Sequence, residues 1–162
     1  MKNSQYFFAI LRFALGWMLI WAFLDKTFGL GFATAPENSW LAGGSPTTGF
    51  LTHATKGPLA EFYQTMAGNP LVDWIFMLGL LLIGLCFILG VGLKIAGYSA
   101  AVLFFSMYTA IALPPENNPL LDEHILYVII SLGFAHANAG DTWGLGKWWG
   151  KTKLVKKWPV LK

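Results

Sequence analysis

Apolar residues in this chain fall into long continuous runs, not into alternating patterns. The first covers residues 6–24 and is broken only by Arg12. Its length of about 19 residues matches the roughly 20 a helix needs to cross a hydrocarbon core. Further runs cover about 71–93, 95–113 and 125–139. Such continuity predicts helices, because the strands of a membrane barrel alternate between lipid and lumen faces. The fourth run is short unless Asp122, Glu123 and His124 sit at the interface, a position charged side chains tolerate by reaching outward to water. The expected fold is an all-α, four-transmembrane-helix bundle forming a single membrane domain over residues 1–162.

Between the first two runs lies a loop over residues 25–70, rich in Gly, Pro, Ser and Thr yet carrying Trp40, Phe50, Leu51, Leu59, Phe62, Tyr63 and Met66. A solvated linker has no use for those side chains, so the loop is expected to pack between the first two helices over the mouth of the bundle. Leu59, Phe62, Tyr63 and Met66 recur at three-and-four spacing and predict a short helix after Gly57-Pro58. Pro36-Glu37-Asn38 is echoed by Pro115-Glu116-Asn117, each after an outward-running helix, which is compatible with two hairpins joined in tandem or with chance. Gly92, Ala96 and Ala100, beside Gly97 and Ala101, allow close approach of neighbouring helices. The pattern Ala33-Thr34-Ala35 resembles a signal cleavage site, but the apolar run is longer than a signal core and is followed by Asp25 and Lys26. The first helix is therefore expected to be retained.

Composition supports the bilayer. Hydrophobic residues make up 56% and charged residues 12% of the 162, whereas soluble domains carry roughly a quarter charged residues. Aromatics reach 16%, with eight Trp, and such rings favour the membrane–water boundary. This balance excludes a disordered chain, a disulfide scaffold and a free-standing nucleic-acid binder. Cys86 is the only cysteine. One sulfur builds no intrachain disulfide, CxxC pair or thiolate metal site, so a redox role needs a bound organic cofactor or a partner's chemistry.

The charge is placed asymmetrically. Lys147, Lys151, Lys153, Lys156, Lys157 and Lys162 stand against Asp141 in the tail over residues 141–162, and Lys2 and Lys94 fall on the same side of a four-span chain. The positive-inside rule makes that side, with both termini, cytoplasmic. The other side holds Asp25, Glu37, Glu61, Asp73, Glu116, Asp122 and Glu123 against Lys26 and Lys56. Trp143, Trp148, Trp149 and Trp158 interleave with the tail lysines, which suits either anchoring on anionic lipid or docking of a partner.

Ionisable residues inside a membrane mark candidate sites. Arg12 either snorkels to the inner interface or is a paired functional group. Lys26 lies roughly on the same face at the outer end of the helix, with Asp25 beside it. His124, Ser131 and Asn138 recur every seven residues with Tyr127 nearby, and this stripe is either interhelical glue or, at its outer part, the wall of a ligand or proton pocket. That pocket would join His124, Asp122, Glu123 and Tyr127 to Asp25, Lys26, Glu37, Glu116 and Asn117. Imidazole beside carboxylates suits proton exchange near neutrality. No metal site is expected, because His124 and His136 are roughly 18 Å apart along one helix. HExxH, GxxxxGK, GxGxxG and GxSxG motifs are absent from the sequence.

The segments Arg12-Phe-Ala-Leu-Gly-Trp17, Trp21-Ala-Phe-Leu-Asp-Lys26, Pro36-Glu-Asn38 and Gly43-Gly-Ser-Pro46 resemble the first span and loop of DoxX/DoxD-type membrane proteins. Pro114-Pro-Glu-Asn-Asn-Pro119, Asp122-Glu-His124 and Ala139-Gly-Asp-Thr-Trp-Gly-Leu-Gly146 resemble their last connector and fourth-span exit. The resemblance implies a multi-pass protein of a prokaryotic inner membrane. In that family DoxD is the membrane subunit of a thiosulfate:quinone oxidoreductase, and other members are linked to thiol and oxidative stress. Arg12, Asp25, Lys26, Glu37, Glu116, Asp122 and His124 match the recurring polar positions of the family.

The expected function is a quinone-linked redox subunit with no intrinsic cofactor and a membrane quinone as its redox partner. His124, Asp122 and Lys26 are the candidate catalytic residues. Arg12, Trp17, Trp21, Asp25, Glu37, Glu116, Asn117 and Tyr127 are the candidate quinone or ligand contacts. Besides lipid, the expected partners are a second redox subunit or a larger complex, with a homo-oligomer open and nucleic acid excluded. The competing expectation is a non-enzymatic assembly subunit. Transport is disfavoured, because four short-looped spans leave little room for alternating gates.

Overall fold

The computed structural model describes residues 4–111, 113–116, 118 and 120–162. Among these residues all regular structure is helical. Three helices are long and apolar enough to cross a membrane: α1 (Ser4–Phe28), α4 (Pro70–Leu89) and α5 (Leu93–Ile111). Between α1 and α4 lie 3-10 turns at Pro36–Asn38 and Trp40–Ala42 and the short helices α2 (Thr48–His53) and α3 (Ala60–Gln64). The last is the helix expected after Gly57-Pro58. After α5 come α6 (Glu123–His136), a 3-10 turn at Ala139–Asp141, and two short tail helices, α7 (Gly146–Trp149) and α8 (Lys153–Lys157).

The expected fourth run folds as a helix but falls short of spanning length. α6 has 14 residues, about 21 Å, against a hydrocarbon core of about 30 Å. It starts where the Asp122 carboxylate accepts the Ile125 N–H at 3.2 Å, an N-cap that fixes the first turn. It ends because Asn138 turns left-handed, at φ 48°. The seven-residue stripe is thereby broken: His124 and Ser131 are buried, whereas Asn138 lies beyond the helix and is exposed.

Of the four longer helices, α1 packs against α4, α4 against α5 and α5 against α6, and a lighter contact joins α1 to α6. Leu15, Leu19, Met77, Leu80, Ile83, Phe87, Ala96, Ala100, Phe104 and Phe134 fill the seam. The flanks remain apolar, with Phe7 and Val102 each 68% exposed and Ile75 65% exposed. Water would not tolerate such a surface, whereas lipid does.

Small residues decide which helices approach closely. Ala96, Gly97, Ala100 and Ala101 are all buried, and a Cβ on Gly97 would lie 2.5 Å from the Ser131 carbonyl oxygen of α6. The pairing of α5 with α6 is thus the tight one. α4 and α5, joined by a three-residue turn, contact each other more sparsely and leave a cleft between them towards the loop end.

The loop covers that cleft instead of wedging between α1 and α4, which pack directly together. It is pinned to both walls of the cleft. On α4, Asp73 accepts hydrogen bonds from Ser45 Oγ at 2.9 Å, Thr47 N at 3.2 Å and Thr47 Oγ1 at 2.6 Å. On α5, the Tyr63 hydroxyl meets Thr109 Oγ1 at 2.6 Å and the Lys56 N–H reaches the Ala110 carbonyl at 2.8 Å.

Candidate functional site

Under this roof, α4 and α5 enclose a groove of about 900 Å³, near the upper end of the range for small-molecule pockets. Val72, Ile75, Phe76, Gly79 and Ile83 form one wall, Val102, Leu103, Met107 and Ala110 the other, and Phe50, Leu51, Phe62 and Met66 the roof. Ile75 and Val102 are also exposed on the bundle flank, so the groove opens sideways at the level of the apolar helix surfaces. Its few polar groups are Lys26, Thr47, Tyr63, Tyr98, Ser99 and Ser106.

Lys26 supplies the single charge. It sits in the last turn of α1, with Nζ 6.0 Å from the centroid of the Phe76 ring. Among the described residues it makes no hydrogen bond or ion pair. Asp25 places a negative charge nearby, but its carboxylate is turned away to accept the N–H groups of Phe32 at 3.2 Å and Ala33 at 3.0 Å. The groove therefore offers an ammonium with spare donors at one end of an apolar slot.

Arg12 belongs elsewhere. It is wholly buried at the opposite end of the bundle, where its guanidinium donates to the carbonyls of Phe87, Ile88 (2.8 Å), Thr142 (3.3 Å) and Trp143 (2.9 Å) and lies 4.5 Å from the centroid of the Phe13 ring. Two of those carbonyls close α4, where a cation satisfies orphan acceptors and the negative end of the helix dipole together. The other two belong to the segment after α6. Glycines make the fit possible: a Cβ on Gly140 would lie 2.1 Å from the Gly90 carbonyl oxygen. Arg12 neither snorkels nor faces a ligand. Its two terminal nitrogens are spent on main-chain carbonyls at this end of the bundle, away from the groove, while its buried Nε has no hydrogen-bond partner among the described residues.

His124 and its neighbours are placed apart from the groove lining. α6 packs chiefly along α5 and α1 chiefly along α4, and among the described residues no hydrogen bond or ion pair joins His124 to Asp25 or Lys26. His124 Nδ1 and Asp122 Oδ2 are 2.6 Å apart, and Tyr127 stands between the His124 ring at 6.3 Å and the Phe104 ring at 5.1 Å. Neither His124, Asp122 nor Tyr127 lines the groove. Asp122, Glu123 and His124 present ligand atoms within 4.8 Å of one another, but both Asp122 oxygens already serve Ile125 and His124.

The Trp17 and Trp21 rings pack in a tilted pair 5.7 Å apart, and Trp21 meets Phe32 edge-on at 5.0 Å. This ladder, on α1, is also absent from the groove lining. Asp25 is occupied by the loop, and Glu37 and Glu116 are exposed. Asn117 and Lys2 lie outside the described residues. Of the expected site residues, the groove retains Lys26.

Sequence reasoning missed Asp73, Tyr63 and Thr109 as roof pins, and Tyr98, Ser99 and Ser106 as groove walls. Asp73, a carboxylate in the first turn of an apolar helix, was the one legible signal. No protein-family model, curated protein or solved structure matches the chain.

Proposed function

We propose that this protein is the membrane-embedded, quinone-binding subunit of a quinone-linked redox system, and that the groove between α4 and α5 is its quinone site. The observation that carries the reading is an ammonium with no hydrogen bond or ion pair among the described residues, at the wall of a large apolar groove that opens sideways. A lipid-soluble ring with carbonyl oxygens and a hydrocarbon tail suits such a slot: Lys26 donates a hydrogen bond to a carbonyl oxygen, and the walls from Val72 to Ile83 and from Val102 to Ala110 take the tail. Ser99, Ser106 and the Tyr63–Thr109 pair offer further polar contacts along the slot. When bound, a quinone accepts two electrons and two protons.

The chain's own residues bind and orient it, exclude water beneath the roof, and hold a proton at Lys26 Nζ. The electrons come from another subunit, since a lone cysteine provides no relay. In keeping with the DoxD resemblance, the donor is thiosulfate, two molecules of which give tetrathionate and two electrons. Oxidation on that second subunit suits the acidic outer face of this one, which repels a dianion. The setting proposed is a prokaryotic inner membrane, with α6 completing a fourth crossing through its interfacial ends and both termini cytoplasmic.

Gly79→Leu is the sharpest test. A Cβ at Gly79 meets nothing within 4 Å, so a leucine there fills the groove without a clash in the fold. Purified from native membranes in mild detergent and extracted with organic solvent, the parent is expected to yield near-stoichiometric quinone. Gly79→Leu and Lys26→Met are expected to lower that yield about tenfold or more, the worth of one lost charge-assisted contact. Membranes carrying either variant should lose thiosulfate-dependent quinone reduction. Recovery of phospholipid alone from the parent, or equal quinone from parent and Gly79→Leu, overturns the assignment.

A further inference from the structure

At the opposite end of the bundle a second cavity of about 220 Å³ lies where the end of α4, the start of α5, the end of α6 and the folded-back tail meet. We infer that this cavity binds a phosphate anion, and that the phosphate is the headgroup of an anionic lipid. The headgroup cavity shares no lining residue with the groove.

Lys94, Lys162 and His136 line the cavity together with one carboxylate, Asp141. Among the described residues neither lysine is within ion-pair distance of a carboxylate, Asp141 included. The two lysines are exposed at the rim of this open cavity, and neither is neutralised by Asp141. Compact ammonium groups in such a setting are phosphate binders. His136 is held by a 3.1 Å hydrogen bond between Nε2 and the Tyr98 hydroxyl, and Nδ1 has no partner among the described residues. Asp141 offers an acceptor to a hydroxyl on the same headgroup.

Two features make this a built cavity, unlike the other tail lysines. Lys162 is brought there by tertiary contacts: the Trp149 indole N–H donates to the Leu161 carbonyl at 2.6 Å, folding the last turn back against the start of α5. From Lys94, an exposed apolar strip of Ile95, Tyr98 and Val102 runs along α5 at three-and-four spacing, its last two residues shared with the edge of the groove. A phosphate at Lys94 thus sits at the head of a path for an acyl chain, the arrangement expected of basic headgroup pockets between membrane helices.

Native mass spectrometry of the full chain in detergent, titrated with phosphatidylglycerol and with diacylglycerol of the same chains, tests this. The parent should retain phosphatidylglycerol and not diacylglycerol. The Lys94→Gln, Lys162→Gln double variant should bind it about tenfold more weakly, as expected for lost charge-assisted hydrogen bonds, and the Arg counterparts should restore binding. Lys153→Gln with Lys157→Gln, outside the cavity, should leave it unchanged. Displacement by millimolar inorganic phosphate supports the anion site with free phosphate as its source, and retention supports the lipid. Equal binding by parent and double variant, equal binding of the two lipids, or an equal loss in the Lys153, Lys157 variant overturns the inference.

Discussion

Arg12 and Lys26 lie on one helix, about 21 Å apart along it, and differ in everything but charge. Arg12 is fully buried, and its two terminal nitrogens donate to four carbonyls from two segments, leaving Nε without a partner among the described residues. Lys26 is half-buried at the wall of a large cavity with no hydrogen-bonded partner among the described residues. The contrast suits their chemistry. A planar fork with five N–H donors can hold several fixed carbonyls at once, whereas an ammonium on a flexible stem is suited to a ligand that comes and goes. Donors held by fixed carbonyls of two segments mark a residue that holds the fold, and an ammonium beside open volume marks one available for binding.

The largest effect expected from breaking this contrast is at Arg12. Arg12→Met leaves four carbonyls without their donor, each a loss of about 1–3 kcal/mol when buried. Failure to accumulate, or a steep drop in thermal midpoint in detergent, should follow. Arg12→Lys should recover only part of the stability, because one ammonium cannot span both segments.

Gly97→Leu comes next. It drives a side chain into the α6 backbone and should cost about 1–3 kcal/mol through overpacking, read as a lowered midpoint, while leaving the groove intact. A smaller loss of about 1 kcal/mol is expected for Asp122→Ala, which removes the α6 cap and the His124 contact together. Circular dichroism on heating would detect it.

The smallest effect on stability is expected at Lys26. Lys26→Met should change the midpoint by less than about 1 kcal/mol, because no internal pair is broken and an apolar side chain suits the groove. If Lys26→Met destabilised the protein as much as Arg12→Met, Lys26 would be a structural clamp too, and the distinction between the two cations would fail.

Much of the architecture was legible because its signal is local. Apolar runs of spanning length announce helices whatever they pack against. The three-and-four spacing of Phe62, Tyr63 and Met66 identified a short loop helix, and the small residues from Ala96 to Ala101 marked a close helix crossing. The composition of the site was far less legible. His124, Tyr127 and Asp25 share the outer half of the chain with Lys26 and look like one cluster when only depth along the helices is known. α1 packs chiefly on α4 and α6 chiefly on α5, and of these residues Lys26 alone lines the groove; depth carries no information about neighbour order. The length of α6 was overread for a related reason: residues 137–139 are apolar enough to continue a helix, but Asn138 leaves it for a left-handed turn.

The sequence by itself determined the solvent, the helical content and the placing of basic residues at one end and acidic residues at the other, since each depends on summed side-chain properties along the chain. Only the tertiary structure decided that Arg12 is spent on carbonyls, that Lys26 is not, and that a groove lies between α4 and α5 and not beside His124. Those outcomes depend on which distant main-chain atoms come within hydrogen-bonding reach. That is fixed by the packing of helices against one another, in which small residues such as Gly97 and Gly140 set the closest approaches and leave the remaining space as cavities.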